Sequence, residues 1–377
     1  MMNLAEYRRT AFRLADYLPW AALVAPGVVL NKDGSFQRTA RFRGPDLDSA
    51  VAAELVAVAG RLNNAFRRLG SGWAIFVEAQ RSEAAIYPDS TFPDAASALV
   101  DAERKADFEQ AGSHFVSDYF LTLLWLPPAE EAARAESWLY EGRETSGVNP
   151  WEQLRGFIDR SDRVLALLDG FMPECAWLED GETLTYLHST ISTNRQRVRL
   201  PEVPMHLDAL LADQPLTGGL EPRLGEQHLR VLTITGFPGA TTPGILDDLN
   251  RIAFPYRWST RAILIDKTDA TRLLTKIRRQ WFAKRKSVAA ILKEVMTSEP
   301  SALVDTDAAN KATDADMALQ ELGADVAGMG YVTATITVWD ADARIADEKL
   351  RLVEKIVQGR DFTAMVETVN AVDAWLG

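Results

Sequence analysis

The order of apolar and polar positions divides the chain into runs that alternate, as strands do, and runs that recur at three and four residues, as helices do. Positions 229–235 are apolar and β-branched, and Gly236-Phe237-Pro238-Gly239 breaks them. Thr242-Pro243 then offers a cap and first turn for a helix at 244–252, and positions 256–267 turn strand-like again. This is a β-α-β pattern. Positions 36–79 repeat it, with a strand at 36–42, a helix carrying Val51, Leu55, Val58 and Leu62 at helical spacing, and a strand at 73–79. Ahead of that segment, Asn31-Lys32-Asp33-Gly34 joins runs at 27–30 and 36–42 into a hairpin.

The rest of the first half reads as a helical excursion at 95–110, an apolar strand at 119–126 stopped by Pro127-Pro128, a helix at 151–168 and a weaker strand at 173–178. The second half supplies strands at 229–235, 258–265, 331–338 and 362–366, helices at 244–252 and 343–357, and an excursion after its second strand. The same order occurs twice. It predicts an α+β fold of two ferredoxin-like βαββαβ halves with helical insertions. We place the first half, with an N-terminal helix at 4–18, at 1–194, a connector at 195–227 and the second half at 228–377. Pro201, Pro204, Pro215, Pro222, Gly218 and Gly219 punctuate the connector.

The second excursion predicts an αα-hairpin at about 268–325. Ala270, Leu274, Ile277, Trp281, Val288, Ile291 and Val295 form its apolar seam, Ser298-Glu299-Pro300-Ser301 its break, and positions 303–322 its returning helix. Such a hairpin has the form of an interaction arm.

Charge narrows the function. The formal net charge of −12 disfavours a general nucleic-acid surface. Cys175 is the lone cysteine, which fits a reducing compartment and the cytoplasm. The N-terminus lacks the apolar core of a signal peptide, and no run approaches the ~18 apolar residues of a membrane span. Membrane association is therefore expected to be peripheral or through a partner.

Catalytic patterns are weak. The sequence has no Gly-Lys pair for a P-loop; His114, His188, His206 and His228 lie at no metal-ligand spacing; and Asp305, Asp307, Asp314 and Asp316 lack the glycine of an EF-hand loop. No catalytic, cofactor or metal residue is assigned. The sharpest cluster is basic: Lys276, Arg278, Arg279, Lys284, Arg285 and Lys286, with Trp281 inside it. One reading is attachment to acidic lipid or an acidic partner; the blander one is ion pairing across the hairpin to Asp314, Asp316 and Glu321. Trp20 has two readings of its own, core packing and partner contact.

Several phrases occur together: Leu18-Pro19-Trp20, Asn31-Lys32-Asp33-Gly34-Ser35-Phe36, Tyr256-Arg257-Trp258-Ser259-Thr260-Arg261, Lys284-Arg285-Lys286-Ser287, and Asn370-Ala371-Val372-Asp373-Ala374-Trp375-Leu376-Gly377. They resemble the TrbE and CagE family of conjugative-transfer ATPases of type IV secretion systems. In that family an N-terminal domain precedes a RecA-like motor with the P-loop. This sequence ends at Gly377 before any such motor, so the resemblance implies a non-catalytic N-terminal region. ATP and magnesium would belong to the motor. The implied role is docking and assembly at the cytoplasmic face of the bacterial inner membrane. Its implied partners are inner-membrane channel components, the motor domain and further copies of the chain, with contact to transported DNA left open. The partner-binding candidates are then Lys276, Arg278, Arg279, Trp281, Lys284, Arg285, Lys286 and Trp20. An enzyme with a cleft between the two halves is the alternative from another class.

Overall fold

A computed structural model describes residues 13–46, 49–84, 87–110, 114–128, 150–203, 205–239, 241–284 and 306–377. The fold is α+β: among the described residues ten helices accompany one antiparallel sheet of twelve strands. In the first half the strands are β1 (Trp20–Ala25), β2 (Val28–Asn31), β3 (Phe36–Arg43), β4 (Trp73–Glu83), β5 (Phe115–Trp125) and β6 (Glu174–Trp177). The second half holds β7 (Leu216–Thr217), β8 (Arg223–Leu224), β9 (Gln227–Gly236), β10 (Tyr256–Ile265), β11 (Met329–Asp340) and β12 (Thr363–Val366). The path runs β1-β2-β3-β5-β4-β10-β11-β9-β8-β7, with β6 beside β3 and β12 beside β9. Both halves therefore repeat one local order, β6-β3-β5-β4 and β12-β9-β11-β10, and β4 lies next to β10.

The helices are α1 (Leu14–Tyr17), α2 (Ala52–Phe66), α3 (Ala95–Gln110), α4 (Pro150–Asp169), α5 (Asp180–Ile191), α6 (Leu207–Leu211), α7 (Lys267–Lys284), α8 (Thr306–Gly323), α9 (Ala343–Gln358) and α10 (Ala371–Leu376). The α-helix expected at 244–252 is instead a 3-10 turn, Asp247–Arg251. Gly244 precedes it at φ +78°, and the Asp-Asp-Leu-Asn segment is too short and too rich in side chains that compete for backbone bonds to carry an α-helix. Positions 4–12 of the expected N-terminal helix lie outside the described residues.

Contacts group the chain into two units. One unit comprises Met1–Val51, Ile75–Arg261 and Val332–Gly377; the other comprises Ala52–Ala74 and Ala262–Tyr331. In the first unit, strand alternation separates two cores. Leu232 and Ile234 of β9 and Ile336 and Val338 of β11 pack with Leu350, Val353 and Val357 of α9. On the other side Leu229 and Val231 join Trp20, Tyr186 and Leu187 of α5, and Ala371 and Trp375 of α10. Leu207, Leu211 and Leu224, inside 195–227, belong to this second core and are at most 2% exposed. The proline-rich stretch is thus packed. His188 Nε2 lies 2.8 Å from Asp213 Oδ2, and Gln214 Oε1 accepts from the amide and hydroxyl of Thr193. In the second unit α7 and α8 form the expected antiparallel pair, burying Ala270, Ala315 and Leu322.

Candidate functional site

The hairpin carries most of the sequence-derived candidates. On α7, Lys276 and Arg279 are exposed, while Arg278 Nη1 donates to Asp316 Oδ1 of α8 at 2.9 Å. Of the acids expected opposite the cluster, Asp314, Asp316 and Glu321, it is Asp316 that takes Arg278. Both partners of that bridge remain about half exposed, at 41% and 51%, so it contributes about 0–1 kcal/mol. Trp281 and Lys284 lie on the last turn of α7, and Arg285 and Lys286 lie outside the described residues. Lys276 and Arg279 are the described cations of the cluster that have no ion pair among the described residues.

The base of the hairpin encloses a cavity of about 660 Å³ lined by Arg67, Asp266, Lys267 and Asp325 among others. Lys267, Arg67 and Asp266 each have a protein partner. Lys267 Nζ donates to Asp325 Oδ1 at 2.6 Å, Arg67 Nη1 to the Asp325 carbonyl at 2.9 Å, and Asp266 Oδ1 accepts from the Ser71 amide at 2.9 Å. Asp325 itself sits at φ +55°, where the chain turns from α8 into β11. These groups fasten the arm at its root.

Trp20 is only 7% exposed and packs in the core of the other unit. It lines a 140 Å³ cavity together with Tyr186, Arg257, Trp375 and Gly377. Beside it lies a buried ion pair that the sequence did not reveal. Glu78 of β4 is 2% exposed; Arg257 of β10 donates Nε to Glu78 Oε1 at 2.6 Å and Nη2 to Oε2 at 2.9 Å. The third guanidinium donor reaches the Thr190 carbonyl at 2.9 Å. Tyr186 donates to Glu78 Oε2 at 3.1 Å and Gln80 Nε2 to Oε1 at 2.6 Å.

Burial alone would lower the Arg257 pKa, but the adjacent Glu78 charge and its hydrogen bonds outweigh it, and the net shift is upward. Burial first, and then the Glu78 charge, also push the Tyr186 phenol upward, so it stays a donor. The arrangement joins the central strands of the two sheet halves to α5. It is a clamp in which each carboxylate oxygen of Glu78 and each guanidinium nitrogen of Arg257 has a protein hydrogen-bond partner. The pair spans 179 residues, and the strand-like alternation at 73–79 could not show that Glu78 has a partner.

Residues 27–133 match the model of the type IV secretion system ATPase VirB4/TrbE N-terminal domain. Sinorhizobium fredii carries a probable conjugal transfer protein TrbE in two pieces. The chain is 40% identical to the first piece over 139 residues, which is 93% of that piece and 36% of this chain. The chain belongs to the VirB4/TrbE family. It is 32% identical over its whole length to the conjugal transfer protein TrbE of Rhizobium radiobacter, covering 47% of that protein. It is 22% identical to the type IV secretion system protein virB4 of Brucella suis, over 96% of this chain and 43% of that protein. The chain thus spans about half the length of these two full-length relatives. Among its described residues no helix is long and apolar enough to cross a membrane.

Proposed function

We propose that this chain is the docking and assembly region of a type IV secretion ATPase, joining a motor to inner-membrane channel components on their cytoplasmic side. The observation that carries this reading is the arm: a two-helix hairpin, fastened at its root by Lys267, Arg67 and Asp325, that presents Lys276 and Arg279 without ion-pair partners among the described residues. Surface cations with no internal partner are available to an acidic surface, and attraction between them is screened by salt. The family supplies the context, since the N-terminal region of VirB4/TrbE is what the sequence matches. In this reading the ATP and magnesium sites lie in the half of the relatives that the chain does not span.

Co-purification of the tagged chain with the membrane proteins of its own secretion system, at low and high salt, tests the reading. Docking predicts recovery of an inner-membrane component that weakens with salt and with Lys276→Ser plus Arg279→Ser. Equal recovery with and without the two cations removes the arm from the interface.

A further inference from the structure

The segment that leaves α5 presents a row of arginines on a backbone that no strand pairs. Residues 195–203 run along the surface outside any helix or strand. Their side chains nevertheless alternate as in a strand. Gln196 Nε2 donates to Asp213 Oδ2 at 3.3 Å and Val198 packs against the core beneath, while Arg195, Arg197 and Arg199 are exposed. The Val198 amide donates to Thr185 Oγ1 at 3.0 Å, and among the described residues no other backbone group of 195–203 has a hydrogen bond. Pro201, which lacks an amide donor, closes the row, and Leu200 and Val203 on either side of it are exposed.

The guanidiniums of this row are largely unengaged. Arg195 Nη1 lies 3.9 Å from Asp118 Oδ2, a loose contact between two half-exposed groups. Arg197 and Arg199 make no ion pair or hydrogen bond among the described residues. Alternate residues of an extended chain stand about 6.6–6.8 Å apart, so carboxylates at alternate positions of a second extended chain match the row in spacing as well as in charge. Gln196 and Val198 hold the segment in place from beneath, so little ordering remains to be done on binding.

We propose that residues 195–200 bind an extended acidic segment of a partner protein, which adds to the open backbone as a strand and sets Asp or Glu at alternate positions against Arg195, Arg197 and Arg199. Backbone pairing would supply affinity and the arginine row the choice of partner. The open backbone favours a peptide over a lipid surface or a nucleic acid, since neither of those can pair it as a strand does. Positions 195–203 also hold no aromatic side chain on which a base could stack. None of these residues belongs to the arm, so docking through the one does not require docking through the other.

Fluorescence anisotropy with the 377-residue chain and labelled, end-blocked peptides tests the strip. The probes are a peptide alternating Glu and Val, its Gln-for-Glu counterpart, and the acidic peptide N-methylated at every backbone amide; oligothymidylate and phosphatidylglycerol vesicles serve as competitors. The acidic peptide should bind, more weakly as salt is raised. The Gln counterpart and the N-methylated form should each bind about tenfold more weakly or worse. Arg197→Gln with Arg199→Gln should weaken the acidic peptide about tenfold, and Lys at both positions should weaken it less, because the charge is kept and the fork lost. Both positions are exposed, so the variants should fold. No binding of the acidic peptide at about 1 mM, undiminished binding to the double Gln variant, equal binding of the N-methylated form, or tighter binding of oligothymidylate or vesicles than of the acidic peptide would overturn the assignment.

Discussion

Replacing Arg257 by Met removes three hydrogen bonds and the cation paired with Glu78, while keeping a side chain of similar reach. The carboxylate is left 2% exposed with Gln80 and Tyr186 as donors. Breaking one member of a buried pair costs about 3–5 kcal/mol, far above the value of an exposed bridge such as Arg278–Asp316. At about 2 °C per kcal/mol for a large cooperative unit, the melting temperature should fall by roughly 6–10 °C. The double variant Glu78→Leu with Arg257→Met should regain much of that loss, because no buried charge is left unpaired. Thermal unfolding followed by circular dichroism reads both. A loss below about 1 kcal/mol for Arg257→Met would refute the reasoning, since it would mean that water or rearrangement satisfies Glu78.

Other positions give sharper contrasts. Trp375→Ala should cost about 3–5 kcal/mol by opening a cavity among Trp20, Tyr186 and Val231, measured by denaturant unfolding. Arg278→Ala should change stability by less than about 1 kcal/mol, because its bridge to Asp316 is exposed. The Asp340 carboxyl is raised by its burial, but hydrogen bonds from Lys349 and the Asp342 amide outweigh this and hold it below its ordinary value of 3.8. Its contribution is therefore fully present above that value and is lost as pH falls through the lower folded value; Asp340→Asn should flatten the acid limb of a stability–pH curve in that range.

The sequence was most legible where one periodicity ran long. The seam of Ala270, Leu274 and Ile277 placed the arm, positions 95–110 matched α3, and positions 343–357 matched α9 to within a residue. Helix α5 was missed because Thr183, Thr185 and Thr190 weaken helix propensity, and because its capping box uses Glu179 and Glu182 rather than Ser or Thr at the cap. Its formation depends on tertiary burial of Leu184, Leu187 and Ile191. The punctuation at 195–227 read as a connector because prolines mark local breaks, yet Leu207 and Leu211 on the short α6 still bury completely. The Glu78–Arg257 pair depends on strands that become neighbours only after folding. Local pattern carries no record of that register.

The arm's role in docking is tested most directly by a photo-crosslinking amino acid placed in turn at Lys276, at Arg279 and, as a control, at Glu103 on α3, in cells assembling the complete secretion system. Docking through the arm predicts crosslinks to an inner-membrane channel component from 276 and 279 and none from 103. Crosslinks from the control alone, or none to any channel component from the arm in assembled systems, would contradict it.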